Sequence, residues 1–170
     1  MAVSKAEVMV DRSLQPITDA HLHRLGVLAG ADLADRCTRR PRWQAYRQRI
    51  VAVVLCQGAA QHYLDGRNGV KDLDVWTFFA EIPGEPFPPR WRTADFGPSS
   101  LGHRAGDPDY RGRRVDLLGR SLTVPPESDP ITVIRAYLRG GHTASAKALA
   151  TKAAVGIDPP EYRGSVIWPA

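Results

Sequence analysis

The chain has 170 residues, and its 23 Lys and Arg against 18 Asp and Glu give a formal net charge of +5 at pH 7. This length is typical of one domain with a buried core, so we expect residues 1–170 to form a single domain. No apolar run reaches the length of a membrane span and the first residues lack a signal-peptide core, so we expect a soluble, cytoplasmic protein. The basic charge permits contact with the phosphates of nucleotides or nucleic acid.

A helical N-terminal flank is predicted for residues 1–49. Its first part, residues 1–16, is expected to be only loosely attached to the rest of the protein. Thr18 is a suitable N-cap for a helix that continues toward Asp35. Its internal glycines, at positions 26 and 30, would allow the helix to split in two. Apolar side chains recur on one face: Leu22, Leu25 and Leu28 or Ala29.

A basic helix is predicted over residues 41–49, with Pro41 in its first turn. Three arginines lie upstream of it: Arg36, Arg39 and Arg40. Together with Trp43 and Tyr46, they would suit a nucleic-acid backbone and a stacked base. The interpretation we favour is an amphipathic helix whose two aromatic rings pack on a sheet while its arginines face water, since periodicity alone accounts for the pattern.

Residues 50–124 predict the core of the protein. An apolar strand over 50–56 leads into a glycine turn and a short helix that ends near Gly66. For His62, within this helix, a packed or exposed side chain is favoured over a substrate contact. A turn over 66–69 then returns the chain to a second strand over 72–79.

Acidic residues interrupt two of the predicted strands. Asp72 and Asp74 are two residues apart, so in a strand their side chains point to the same side. Like charges held this close require a cation, a proton or basic partners. Asp116 lies in a third apolar run, residues 113–118, which a neighbouring strand position would bring beside them. Three carboxylates with open metal positions suit Mg²⁺, which prefers hard oxygen ligands.

The order of strand, glycine turn, helix, strand with Asp-x-Asp and later strand with Asp resembles the polymerase-beta-like nucleotidyltransferase superfamily in its minimal form. The resemblance covers about residues 50–122 and includes Gly58, a spacer of about a dozen residues, and Asp72-Leu73-Asp74-Val75. It implies an α/β (α+β) nucleotidyltransferase fold. That fold is a small mixed β-sheet flanked by helices, followed here by C-terminal helices over 125–170.

The resemblance also implies an activity: the Mg²⁺- or Mn²⁺-dependent transfer of a nucleoside monophosphate from ATP or another nucleoside triphosphate to an unidentified acceptor hydroxyl, with release of pyrophosphate. The acceptor can be a small molecule, an RNA or a protein. The implied catalytic and metal-binding residues are Asp72, Asp74 and Asp116. The implied triphosphate-binding residues are Gly58 and Ala59, through backbone amides, and Arg67 on the following turn.

Two positions depart from the family pattern. Ala59 stands where the family usually has Ser or Gly, and Gln57 replaces an apolar residue. An alternative is therefore a catalytically inactive protein of the same fold that binds nucleotide or nucleic acid, or acts in a regulatory, toxin–antitoxin-like pair. Asp74 can also simply pair with an arginine. Other acids can supply the third ligand: Asp95, Asp107 or Asp109.

A Pro- and Gly-rich insertion over 81–112 separates the two acidic strands. Residues 90–97 alternate enough for an extra short strand, and a turn-rich loop follows. An insertion at this point would lie near the cleft and either contact the acceptor or cap the sheet. Its candidate contact residues are Ser99, Ser100, His103 and Arg104.

Two helices and an irregular tail are predicted after Pro126. Asp129 and Pro130 begin the first helix, whose predicted buried residues are Ile131, Ile134, Tyr137 and Leu138. Thr143 begins a second, alanine-rich helix that closes at Gly156. Its predicted inward residues are Ala146, Leu149, Ala150 and Ala153.

Overall fold

A computed structural model of the chain describes residues 12–99, 101 and 112–169. The elements in order are α1 (Asp19–Arg39), a 3-10 helix (Pro41–Gln48), β1 (Ile50–Cys56), α2 (Gln57–Asp65), β2 (Leu73–Ala80), β3 (Arg90–Asp95), β4 (Arg114–Leu122), α3 (Pro130–Gly140), α4 (Ala144–Leu149), β5 (Ala153–Asp158), a second 3-10 helix (Pro160–Tyr162) and β6 (Val166–Trp168). Over the described ranges, no helix combines the length and apolar character needed to cross a membrane.

The strands form one mixed six-stranded sheet in the order β3-β4-β2-β1-β5-β6. β2 and β4 are parallel, and the other neighbouring strands are antiparallel. The parallel pair requires a crossover between its two strands. The insertion provides it and contributes the edge strand β3, so the extra strand predicted from residues 90–97 is confirmed. The chain is therefore of the mixed α+β class.

Alternating side chains give the sheet two buried faces. Val53 and Leu55 of β1 belong to a core that α1 and α2 cover. Val54 and Cys56, one residue out of phase, belong to a second core that includes residues of α3 and α4. Each face of β1 is thus packed against helices, which explains why this strand reads as a continuous apolar run.

The first helix begins where its sequence predicts. The Thr18 hydroxyl accepts a hydrogen bond from the His21 backbone N–H, and His21 Nδ1 accepts one from the Thr18 N–H, which forms a capping box. The helix continues to Arg39 without splitting at its glycines. At Gly26 an added Cβ would lie 3.1 Å from Ile157 Cγ2, so the missing side chain lets α1 approach β5 closely.

The basic segment is a 3-10 helix, and its aromatic rings are buried. Trp43 is 8% exposed and Tyr46 is fully buried among aromatic neighbours that include Phe79 and Phe87. The Tyr46 hydroxyl donates to Glu85 O at 2.6 Å and accepts from a backbone N–H of the insertion. The amphipathic interpretation is confirmed. The alternative, that Trp43 and Tyr46 stack on a nucleic acid, is wrong, because neither ring is available to a base.

The prediction for the C-terminal segment is half correct. α3 begins at Pro130 behind an Asp129 cap, as predicted, although its buried residues are Val133, Ile134 and Leu138. The alanine-rich helix, however, ends at Leu149, and residues 153–158 form strand β5 between β1 and β6. The predicted irregular tail likewise contains β6. Helix propensity is a weak influence when a central strand such as β1 needs a second hydrogen-bonded neighbour.

Candidate functional site

Strand register places two of the predicted acids side by side. Asp74 of β2 lies directly opposite Asp116 of the parallel strand β4. The same row across the sheet continues to Cys56 of β1 on one side and Thr93 of β3 on the other. Because directly opposite residues point to the same face, the two carboxylates project together beside the end of β1. Residues 42 positions apart in the chain thus meet through the pairing of β2 with β4.

Asp72 lies two residues before Asp74, immediately outside β2, and is partly buried. Its charge acts on Asp74 all the same. The pKa of Asp74 is raised to about 6, mainly by burial and then by the negative charges of Asp72 and Asp116. The positive charges of Arg114 and Lys152 oppose this shift. The negative charges of Asp72 and Asp116 therefore both act on Asp74, and the nearby positive charges do not fully compensate for burial and this repulsion.

Arg114 neutralises part of this group. Its Nε donates to Asp116 Oδ1 at 2.7 Å, and the Asp116 side chain is 10% exposed whereas that of Arg114 is 51% exposed. The hydrogen bond to Asp116 raises the pKa of Arg114, and the charges of Asp72 and Asp74 contribute to the same shift. The guanidinium also lies 5.4 Å from the centre of the exposed Trp91 ring on the edge strand. Arg114 thus contacts both Asp116 and Trp91 of the edge strand β3.

The glycine turn lies at the same end of the sheet. Cys56, opposite Asp74, is followed at once by α2, and the change from strand to helix occurs at Gln57, which has a φ of 62°. This left-handed conformation is uncommon for a residue other than glycine. The Gln57 side chain donates to Ala148 O, which ties the turn to the end of α4. The Cys56 side chain, at the N-cap position of α2, makes no capping hydrogen bond.

Two further polar side chains surround Gly58. Asn68 Nδ2 donates to Gly58 O at 2.9 Å. A Cβ added at Gly58 would lie 3.0 Å from that nitrogen and 3.9 Å from Lys152 Nζ. The ammonium group of Lys152 is therefore close to the first turn of α2 and influences Asp74. A helix N-terminus with a nearby lysine is suited to bind a phosphate.

The other predicted phosphate-binding residues are placed differently from one another. Ala59 is 2% exposed and its side chain packs in the core under α1. Only its backbone N–H can therefore serve a phosphate. Arg67 is exposed on the turn after α2, where its backbone N–H donates to Asp65 Oδ1. His62 is buried and has a structural role, because its Nδ1 accepts from the Gly69 N–H and its Nε2 consequently donates to Gln15 O.

The residues of the insertion are only partly described. Asp95, an alternative third acid, is exposed on β3 and accepts a hydrogen bond from the Gly97 N–H. Ser99 accepts one from the Leu101 N–H. The remaining candidates lie outside the described residues: Ser100, His103, Arg104, Asp107 and Asp109.

The donors at this site suit a hard divalent cation, although their present arrangement does not form a metal cage. In residues 12–99, 101 and 112–169, no group of three or more Asp, Glu, His or Cys side chains is placed to hold a metal ion. Asp116 is engaged by Arg114 instead. Carboxylate oxygens are nevertheless the donors that Mg²⁺ or Mn²⁺ favours, and the negative charges of Asp72 and Asp116 add to the effect of burial in raising the pKa of Asp74. The oxygen donors are thus of the type that such an ion prefers, while Arg114 holds Asp116 in the described structure.

Sequence reasoning missed Arg114, Lys152 and Trp91. Arg114 had a readable signal, because it precedes Asp116 by two residues and a strand places both on one face. Lys152 had none, since its position follows from the unpredicted strand β5. Trp91 sits in a predicted strand, but its exposure depends on β3 being at the edge of the sheet.

Comparison of the chain with family models, curated proteins and solved structures finds no match.

Proposed function

We propose that this protein is a nucleotidyltransferase with a polymerase-beta-like fold. It would transfer a nucleoside monophosphate from a nucleoside triphosphate to an acceptor hydroxyl and release pyrophosphate. The observation that carries the proposal is the placement of Asp74 directly opposite Asp116 at the end of the sheet where β1 turns into α2. Carboxylates beside a helix N-terminus combine a place for a cation with a place for a phosphate.

Asp72, Asp74 and Asp116 would hold Mg²⁺ or Mn²⁺. When bound, such an ion neutralises the triphosphate and stabilises the charge that develops on its oxygens. The backbone amides at Gly58 and Ala59 and the ammonium of Lys152 bind the phosphates at the start of α2. Arg67, exposed on the next turn, supplies a further positive charge.

The reaction requires one proton acceptor and one leaving group. Asp116 accepts the proton of the acceptor hydroxyl, whose oxygen then forms a bond to the α-phosphorus. The bond between the α-phosphorus and the bridging oxygen breaks, and pyrophosphate leaves with that electron pair. Lys152 stabilises the charge of the leaving group. Because nucleoside triphosphates are intracellular metabolites, this activity belongs in the cytoplasm.

The test is label transfer from each α-phosphate-labelled nucleoside triphosphate, with Mg²⁺ or Mn²⁺ and a cell extract as the source of acceptor. We expect the wild type to label an acceptor and Asp74→Asn to lose at least about 100-fold in rate, as is usual when a group that organises transition-state charge is removed. Glu161→Gln, which neutralises an exposed acid on the second 3-10 helix, is the matched control and should retain wild-type activity. Equal labelling by Asp74→Asn would refute the proposal.

The ion pair between Arg114 and Asp116 favours a second candidate, which is nucleotide binding without transfer. An arginine in the place of a cation would leave the phosphate-binding turn intact and the acids inactive. Calorimetric titration with a non-hydrolysable nucleoside triphosphate distinguishes the two candidates. Metal-independent binding that Asp74→Asn retains, together with no labelling of any acceptor, would support the second.

A further inference from the structure

A groove lined by arginines lies on the far side of the edge strand from the carboxylates. One wall is the C-terminal end of α1 and the residue after it, and the other is the start of β3. Its volume is about 600 Å³, within the range of roughly 300–1,000 Å³ usual for ligand sites. We call it the arginine groove, and its arginines are Arg36, Arg39, Arg40, Arg90 and Arg92.

The positive charge of the arginine groove is only partly balanced. Asp32 pairs with Arg90 at 2.7 Å and with Arg92 at 3.3 Å. Asp35 pairs with Arg39 and with Arg92. Five arginines against these two aspartates leave an excess of three positive charges among the described residues. An anionic partner would relieve this excess.

Two of the arginines also have unused donors. The Nε atoms of Arg36 and Arg90 are buried and have no hydrogen-bond partner among the described residues. The Arg90 side chain is only 8% exposed, so its orientation is set by the surrounding structure. Arg36 is held by stacking, with its guanidinium 4.8 Å from the centre of the Phe87 ring and in no ion pair with a described residue. Positioned guanidinium groups of this kind suit phosphate oxygens.

An exposed aromatic ring stands next to the arginine groove. Trp91 is 62% exposed, although large aromatic side chains are usually buried. It lies between Arg90 and Arg92 on the edge strand and directly opposite Leu118, so its ring points to the sheet face that carries Asp116. A chain that leaves the groove across the edge of the sheet would meet this ring next.

We propose that the arginine groove binds the backbone of a single-stranded nucleic acid and that Trp91 stacks on one of its bases. Repeated phosphates match the excess charge, and an unpaired base matches an exposed ring. A duplex lacks a free base for the ring, so single strands are the preferred ligand. Binding does not depend on any transferase activity. That the bound strand is the acceptor, led across the β3 edge to Asp116, rests on the proposed function.

The test is fluorescence anisotropy with labelled twelve-residue oligouridylate and oligothymidylate and with a duplex of the same length. The double variant Arg39→Gln/Arg40→Gln should bind single strands about tenfold more weakly and lower the salt slope by about 0.7 for each phosphate that the variant no longer neutralises. Trp91→Ala should weaken binding by about tenfold, as expected when one base no longer stacks. The two single strands distinguish RNA from DNA as the ligand, and a preference for either supports the proposal.

A matched control removes the same charge elsewhere. Arg139→Gln/Lys147→Gln changes two exposed basic residues of α3 and α4 and should leave single-strand affinity within about twofold of the wild type. Thermal melting of each variant checks its folding. Wild-type affinity in Arg39→Gln/Arg40→Gln or Trp91→Ala, or tighter binding of the duplex, would overturn the proposal. Asp74→Asn should bind single-stranded nucleic acid with wild-type affinity. Loss of transferase activity and loss of nucleic-acid binding can therefore be distinguished.

Discussion

At the scale of single residues, the site is a balance of charges on one face of the sheet. Asp74 is the residue most affected, because it is partly buried and also lies near two negative charges, those of Asp72 just before its strand and of Asp116 on the neighbouring strand. A raised pKa means that the folded state holds a proton more tightly than the unfolded chain does. Folding therefore becomes less favourable as pH rises through the range between the two pKa values.

Replacing Asp74 by asparagine removes this pH dependence. The pKa of Asp74 is about 6 in the folded protein against an ordinary value of 3.8, so the wild type loses stability as the pH rises from about 4 to above 6. At pH 7.5, without divalent cations, we expect Asp74→Asn to be more stable by on the order of 1–2 kcal/mol, after allowance for solvent screening. The difference should vanish below about pH 4. Urea denaturation across this range is the measurement, and a difference that is constant with pH would contradict it.

Arg114 is the second residue whose role can be tested. Because it holds Asp116 at 2.7 Å, it competes with any cation at the acids. We expect Arg114→Gln to lower the Mg²⁺ concentration that half-saturates thermal stabilisation by about tenfold, since one neighbouring positive charge at close range contributes roughly 1 kcal/mol or more. Arg92→Gln is the matched control, because its ion pairs are with Asp32 and Asp35 of α1. Weaker Mg²⁺ binding by Arg114→Gln would show that the arginine supports the site.

Among the secondary-structure elements, β5 determines which basic residue lies at the candidate site. It pairs with β1, which places Lys152 next to the turn at Gly58. The alanine-rich sequence that precedes it predicts a helix, and the strand exists because it completes the hydrogen bonding of β1. The strand also requires a glycine at 156, where an added Cβ would lie 2.3 Å from Tyr162 O.

Substitutions at two glycines test this packing. Gly156→Ala should destabilise the protein by about 2–4 kcal/mol, because the obstacle is backbone and cannot rotate away. Gly30→Ala is the matched control. Apart from the neighbouring residues and the nearby backbone of α1 itself, no atom of the described residues lies within 4 Å of the added Cβ, so alanine should stabilise α1 by about 0.5–1 kcal/mol. Denaturant unfolding measures both. A neutral Gly156→Ala would mean that β5 and the second 3-10 helix separate easily.

At the scale of the whole molecule, one sheet carries two cores. The core under α1 and α2 and the core under α3 and α4 share the strands between them, so we predict that they unfold together. On this prediction, the N-terminal helical flank, the central core and the C-terminal segment, which contains β5 and β6 as well as helices, unfold as one cooperative unit.

A truncation in each core tests this prediction. Leu25→Ala in α1 truncates a side chain that is 0% exposed, and Ile134→Ala in α3 truncates one that is 1% exposed. Each should cost about 2–5 kcal/mol and leave a single transition observed at the same denaturant concentration by circular dichroism and by tryptophan fluorescence. Two separate transitions in Ile134→Ala would show that the C-terminal helices unfold on their own.

Local patterns alone determined much of the chain. Features that depend on neighbours within a few residues were readable from sequence: the apolar run of β1, the helix caps at Thr18 and Asp129, and the glycine turn before α2. The choice of Asp72, Asp74 and Asp116 as candidate acids was also made from sequence. It used strand alternation together with the family resemblance.

Tertiary structure decided what depends on distant partners. The pairing of β2 with β4 put Asp74 opposite Asp116, the pairing of β1 with β5 brought Lys152 to Gly58, and the edge position of β3 left Trp91 exposed. Local propensity could not predict these outcomes, because a residue's hydrogen-bonding neighbour and its exposure are set by strands far away in the chain. The same physics explains why residues 153–156, the end of the predicted alanine-rich helix, belong to strand β5.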